Sequence, residues 1–225
     1  MGLFSVVVGL MAFSATAAQA EPGAFWEVNG APISSTLLPS IQARNDTPHT
    51  TFLTVVGATI VEILCGPIKL VNGKLHELGR LTGKLHYEEC TTKLNGVTVN
   101  RCTPKSPGAP LGLIESNALK GLLKLHVLAG GATDDLLEVI PEMGAALFRL
   151  ELGPLCALGN NFEIVGKLFL KDCQNELLIN KVEHLFEEGP LTALLFGANP
   201  LTIDGSFWVF LTGAHEGMTY SGHPA

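Results

Sequence analysis

The chain has 225 residues, with 14 Lys and Arg against 21 Asp and Glu and a formal net charge of -7. Only 16% of residues are charged, 47% are hydrophobic and the mean hydropathy is +0.34, which excludes a disordered chain and supports a sizeable buried core. Lys and Arg are scattered, never three together, and this excludes the concentrated basic element of a nucleic-acid or anionic-membrane binder.

The N-terminus reads as a secretory signal. Residues 2–20 carry no charged side chain, Leu3 to Phe13 form an apolar run, and Ala18-Gln19-Ala20 is the small-x-small pattern that signal peptidase accepts. The apolar run is too short to span a bilayer, which needs about 20 residues, so no transmembrane segment is expected in the mature chain. No Lys or Arg precedes the run; either the start lies inside a longer signal or the first region is atypical. The expected organisation is a signal peptide over 1–20 and a single domain over 21–225, secreted or associated with the cell envelope.

Beyond residue 20 the chain reads as short strands punctuated by Gly, Pro and Asn. Thr51 to Cys65 is rich in β-branched residues. Gly83 to Cys90, Leu122 to Ala129, Leu147 to Leu152 and Phe162 to Cys173 alternate apolar and polar residues, and Thr202 to Thr212 is β-branched and aromatic. Period-two alternation bounded by turn residues predicts half-buried antiparallel strands. Asn95-Gly96 predicts a tight hairpin turn, and the segment from Ser106 to Pro110 predicts a loop. The best helical candidates, Asp134 to Val139 and Lys181 to Glu188, are short. The expected fold is all-β: an antiparallel β-sandwich or closed β-barrel of many short strands, with at most short helices.

Five cysteines lie in this region: Cys65, Cys90, Cys102, Cys156 and Cys173. In an exported chain without C-x-x-C pairs they read as disulfide partners and not as metal ligands. A weak internal repeat around 64–90 and 155–173 matches Gly83-Lys84-Leu85 before Cys90 with Gly166-Lys167-Leu168 before Cys173. As a duplication it predicts bridges Cys65–Cys90 and Cys156–Cys173, leaving Cys102 odd. The competing pairing joins Cys90 to Cys102 across the Asn95-Gly96 hairpin.

No G-x-S-x-G, H-E-x-x-H, P-loop or G-x-G-x-x-G pattern is present, and no cofactor or metal is expected. His86 and His126 sit in alternating strands and are expected to face solvent. Glu183, His184, Glu187 and Glu188 form a polar group: in a helix His184 and Glu187 or Glu188 share a face and could hold a cation or a proton, set against an ordinary solvated helix face. The tail residues His215, Glu216, Tyr220, Ser221 and His223 read as a terminal loop. Phe25-Trp26 echoes Phe207-Trp208 near the other end, and the two segments are expected to meet. Trp26 and Trp208 are then the candidate ligand platform, set against ordinary core packing. Two functions follow: a non-enzymatic extracellular or envelope binding or structural protein, whose partner is an envelope glycan or another surface protein, and a secreted hydrolase of polymers using Glu183, Glu187 and Asp204 as acid and base.

Several phrases together carry a resemblance: Phe25 to Gly30 (F-W-E-V-N-G), Ile114 to Leu122 (I-E-S-N-A-L-K-G-L), Lys167 to Cys173, Lys181 to Leu194 and Thr202 to Gly217. The chain resembles a family of uncharacterised exported proteins that occur as many paralogues in soil bacteria. The resemblance implies a bacterial, secreted or envelope-facing protein. It implies no activity and brings no catalytic residues.

Overall fold

A computed structural model of the chain describes residues 23–127, 131, 133–171, 181–186 and 192–224, with backbone alone for 181–186 and Asp134. The first half is built of β1 (Phe25–Val28), β2 (Ala31–Pro32), β3 (Ser40–Asn45), β4 (Thr50–Val56), β5 (Thr59–Cys65), β6 (Ile68–His76), β7 (Arg80–Tyr87), β8 (Thr91–Leu94) and β9 (Val97–Thr98). The second half adds β10 (Ile114–Glu115), β11 (Leu119–Val127), β12 (Thr133–Pro141), β13 (Ala146–Glu151), β14 (Asn161–Lys171) and β15 (Lys181–Phe186). It ends with β16 (Ala193–Phe196), β17 (Asn199–Asp204), β18 (Ser206–Thr212) and β19 (Tyr220–His223). The helical content among the described residues is two single 3-10 turns, Asn100–Cys102 and Gly213–His215.

The fold is therefore all-β, as the alternation predicts. The Thr51 to Cys65 run is a hairpin, β4 and β5, with Val56 opposite Thr59. Asn95 and Gly96 both take positive φ, 50° and 81°, and place Leu94 opposite Val97. This is the turn whose backbone twist matches that of its flanking strands.

Sixteen strands join one large antiparallel sheet, and β19, β1 and β2 form a small second one. Within the large sheet, eight strands pair in sequence: β12, β11, β7, β6, β3, β18, β15 and β14. The C-terminal half of β14 also pairs back to β12. The N-terminal half of β14 instead pairs with β13 and β16, from which an open run continues through β17, β4, β5, β8 and β9. The sheet as a whole is not closed into a barrel. The two sections share a core in the manner of a sandwich: Phe52 of β4 meets Tyr87 of β7 edge-on at 5.2 Å and Phe148 of β13 at 6.0 Å.

β14 changes partners at Gly166, whose φ is 123°. A Cβ there would overlap the carbonyl oxygen of Ala193 on β16, so the crossing point requires a residue without one.

Both helical candidates are strands. Asp134 to Val139 lies in β12, bonded to β11 on one side and β14 on the other, with Leu136, Leu137, Glu138 and Val139 all buried. Burial on both faces removes the alternation that identifies a strand, and ladder partners on both edges outweigh a weak local preference. The buried acid of that run, Glu138, is met by Lys167 Nζ at 2.8 Å. Lys181–Phe186 is β15, between β14 and β18; Glu187 and Glu188 lie outside the described residues.

The disulfides are Cys65–Cys90 and Cys102–Cys156. The first is the bridge the duplication predicts. The second overturns both Cys156–Cys173 and Cys90–Cys102. After two ladder pairs the β8–β9 hairpin ends in the turn at Asn100, and Cys102 swings away to pack with Leu152 and Cys156 in a small separate cluster. Cys173 lies outside the described residues. Thiol titration of denatured, unreduced protein is expected to find one free group per chain, or none beside a reducible dimer. Peptide mapping should link 65 to 90 and 102 to 156; three or more free thiols would contradict this pairing.

Candidate binding face

Strand alternation decides what β18, β3 and β6 show to solvent. On β18, Phe207, Val209 and Leu211 are buried while Trp208, Phe210 and Thr212 are half-buried on the other face. On β3, Ile41 and Ala43 are buried while Ser40, Gln42 and Arg44 are exposed. The register sets Trp208 opposite Arg44, Phe210 opposite Gln42, and Thr212 opposite Ser40. Ser40 stands in turn opposite Lys74 of β6. The outer face thus carries two aromatic rings about 7 Å apart along one strand, bordered by a basic and an amide side chain.

Trp208 is held in orientation. Its Nε1–H donates to Asp46 Oδ1 at 2.6 Å, and the other oxygen of Asp46 accepts from Ser206 Oγ at 3.2 Å. The turn after β3 also bonds β18 through Asp46 N to Ser206 O (3.1 Å) and Ser206 N to Thr47 Oγ1 (3.0 Å). The indole thus has a polar anchor and is half-buried.

Beside these rings β3 and β6 part. Their ladder holds only two pairs, Ser40–Lys74 and Ile41–Gly73. β6 then bulges, with a register shift between Val71 and Lys74 and Asn72 in the left-handed region at φ 54°. A bulge bends its strand and interrupts pairing. The strands are tied together again by Asn45, whose Nδ2 donates to Gly66 O at 3.0 Å and whose Oδ1 accepts from Ile68 N. Between these ties lies a cleft of about 430 Å³, bounded by 40–43, 69–74 and Thr212. Among the described residues its side chains include Lys69 and Lys74 and no carboxylate. Lys69 Nζ reaches Glu88 at 2.6 and 2.8 Å. Next to Lys74, His76 titrates below the ordinary imidazole value; burial is the main cause, then Arg80 and Lys74, with Glu142 opposing. Leu70 lines both this cleft and a small apolar cavity of about 40 Å³ on the inner side of the sheet.

Of the two candidate tryptophans, only Trp208 lies on this face. Trp26 is 1% exposed; its Nε1–H donates to Arg80 O at 2.8 Å. Phe25-Trp26 pairs with β19 in the small sheet, while Phe207-Trp208 pairs with β3 and β15 in the large one, so the echoing segments do not meet. The tail is not a loop. Tyr220 and Ser221 are buried in β19, and His223 stacks on Phe25 and lies 3.2 Å from Glu27. The β1 edge needs a partner strand, and the C-terminus supplies it.

His86 is half-buried, 3.5 Å from Glu115. His126 is half-buried while its neighbours Leu125 and Val127 are exposed, so there the apolar residues face out. Asp204 is exposed at the end of β17. The side chain of Glu183, and Glu187 entirely, lie outside the described residues. Among the described residues no three His, Cys, Asp or Glu converge as a metal site, and no helix is long and apolar enough to cross a membrane. Sequence reasoning missed Gln42, Arg44, Lys74 and Phe210. The signal for the cleft was Asn72-Gly73 inside a strand-like run, a pattern that marks bulges.

Compared with protein-family models, curated proteins and solved structures, the chain matches none.

Proposed function

We propose that this chain is a non-enzymatic binding protein of the cell exterior or envelope, and that it holds a glycan on the outer face of β18 and β3. The observation that carries the reading is the half-buried Trp208 ring, fixed by Asp46 and followed two residues later by Phe210 on the same face. An aromatic face offers a sugar ring a broad apolar contact, and a ring already immobilised loses little freedom on binding. Gln42 and Arg44, opposite these rings, supply hydrogen-bond donors for hydroxyl groups. Two disulfides support an oxidising compartment, and the N-terminal pattern supports export with cleavage after Ala20.

The test is binding of the purified chain to a panel of soluble and insoluble polysaccharides. Trp208→Ala is expected to weaken the best binder at least about tenfold, equivalent to 1.4 kcal/mol. Asp46→Asn, which loosens the ring's anchor, should weaken it less. Leu195→Ala, at an exposed position in the other section of the sheet, should change nothing. Affinity independent of Trp208 would remove the reading.

A further inference from the structure

The geometry points to a second subsite: we propose that the β3–β6 cleft takes an oxyanion of the bound glycan, so that the ligand class is acidic polysaccharide. This rests on the glycan reading above.

The cleft continues the aromatic track. Trp208, Phe210 and Thr212 lie on one face of β18, and Thr212 is itself a wall of the cleft. A glycan laid along β18 over both rings therefore arrives at the cleft mouth. There the side chains are donors. Ser40 and Thr212 contribute hydroxyls, Asn72 an amide, and Lys69 and Lys74 ammonium groups, while among the described residues no carboxylate lines the space.

This is unusual against a chain whose net charge is -7. The cations are far apart in sequence: Arg44 comes from β3, and Lys69 and Lys74 from either side of the β6 bulge. Folding brings them to one face, which is why no basic run announces them. Lys69 is partly neutralised by Glu88. Lys74 is exposed and stands in the Thr212–Ser40–Lys74 row, so it supplies the principal charge at the mouth.

The interrupted ladder adds a further element. No ladder pair joins β3 and β6 between Ile41–Gly73 and the Asn45 tie. The cleft opens at this gap in the ladder, beside the main chain of both strands, and backbone N–H groups are good partners for an oxyanion.

The experiment measures binding of the full chain to two matched pairs of polymers. The first pair is polygalacturonate and its methyl ester, and the second is dextran sulfate and dextran. Each pair differs in the acidic group while keeping the sugar backbone. The expected result is at least about tenfold tighter binding of one or both acidic members. Preference within the first pair identifies a carboxylate, and preference within the second a sulfate. Lys74→Gln should shrink that preference at least threefold, with an unchanged thermal midpoint because the side chain is exposed. Trp208→Ala should weaken the acidic polymer as well, since the aromatic track is shared. Equal affinity for acidic and neutral members, with both dependent on Trp208, would overturn the subsite and leave the glycan reading standing. Acidic binding that ignores both Lys74 and Trp208 and vanishes with added salt would be plain ion exchange and would overturn the subsite. No binding to any of the four polymers would overturn both.

Discussion

Trp26→Ala is expected to lower the unfolding free energy by about 3–5 kcal/mol, the range for deleting a large buried aromatic side chain. The ring is 1% exposed and has two roles. It packs between the small sheet and the large one, with Tyr220 at 6.3 Å, and its Nε1–H satisfies the carbonyl of Arg80 at the start of β7. The site is built around its shape: a Cβ on Gly222, directly opposite in the ladder, would fall 2.7 Å from the ring. Truncation to alanine leaves a cavity that this tight backbone cannot close, and it leaves the Arg80 carbonyl without its donor. The same strand, β1, is held by β19, so the loss also loosens both ends of the domain. Urea unfolding of the two variants side by side separates the tryptophans. Trp208→Ala, at a half-buried surface position, should cost about 1 kcal/mol or less while weakening the binding proposed above at least about tenfold. Equal costs for the two would contradict the burial difference on which the assignment of roles depends.

The contrast between these two residues shows what local pattern conveys. Phe25-Trp26 and Phe207-Trp208 are indistinguishable as words. They differ only because β1 finds its partner in the last strand while β18 runs between β3 and β15. Alternation located the strands well where one face is wet, as in β7 and β14, because there the period of two is written in the residues themselves; β3 and β6 it did not mark. It failed at Asp134 to Val139, where both faces are buried and nothing alternates. The internal repeat offered Cys65–Cys90 as one of two alternatives for Cys90, and neither alternative contained Cys102–Cys156, whose partners are 54 residues apart and meet only through tertiary packing. The candidate face has the same history. Trp208 was visible as an aromatic in a strand. Arg44, Lys69 and Lys74 are three unremarkable cations until β3 and β6 stand beside β18.

Gly166→Ala is expected to destabilise the chain by about 2–6 kcal/mol. Two costs add. At φ 123° a side-chain-bearing residue is strained by about 1–3 kcal/mol, and the new Cβ would overlap the backbone of Ala193, an overpacking cost of about 1–3 kcal/mol more. Neither is easily relaxed, because the obstructing atom is main chain in a strand that β14 itself pairs with. Gly57→Ala provides the comparison. Gly57 also has positive φ, 63°, but nothing lies within 4 Å of where its Cβ would be. It should therefore cost only the left-handed penalty of about 1–2 kcal/mol. The difference between the two substitutions measures the contact at the crossing point. β14 is the strand that links the eight-strand path to the open run, so yielding there separates β16 from β14 and with it the pairing on which both sections rely. Denaturant midpoints of the two variants decide the matter. If Gly166→Ala unfolds no more easily than Gly57→Ala, then β14 can shift its backbone freely at residue 166, and the sharp change of partners does not depend on a missing side chain.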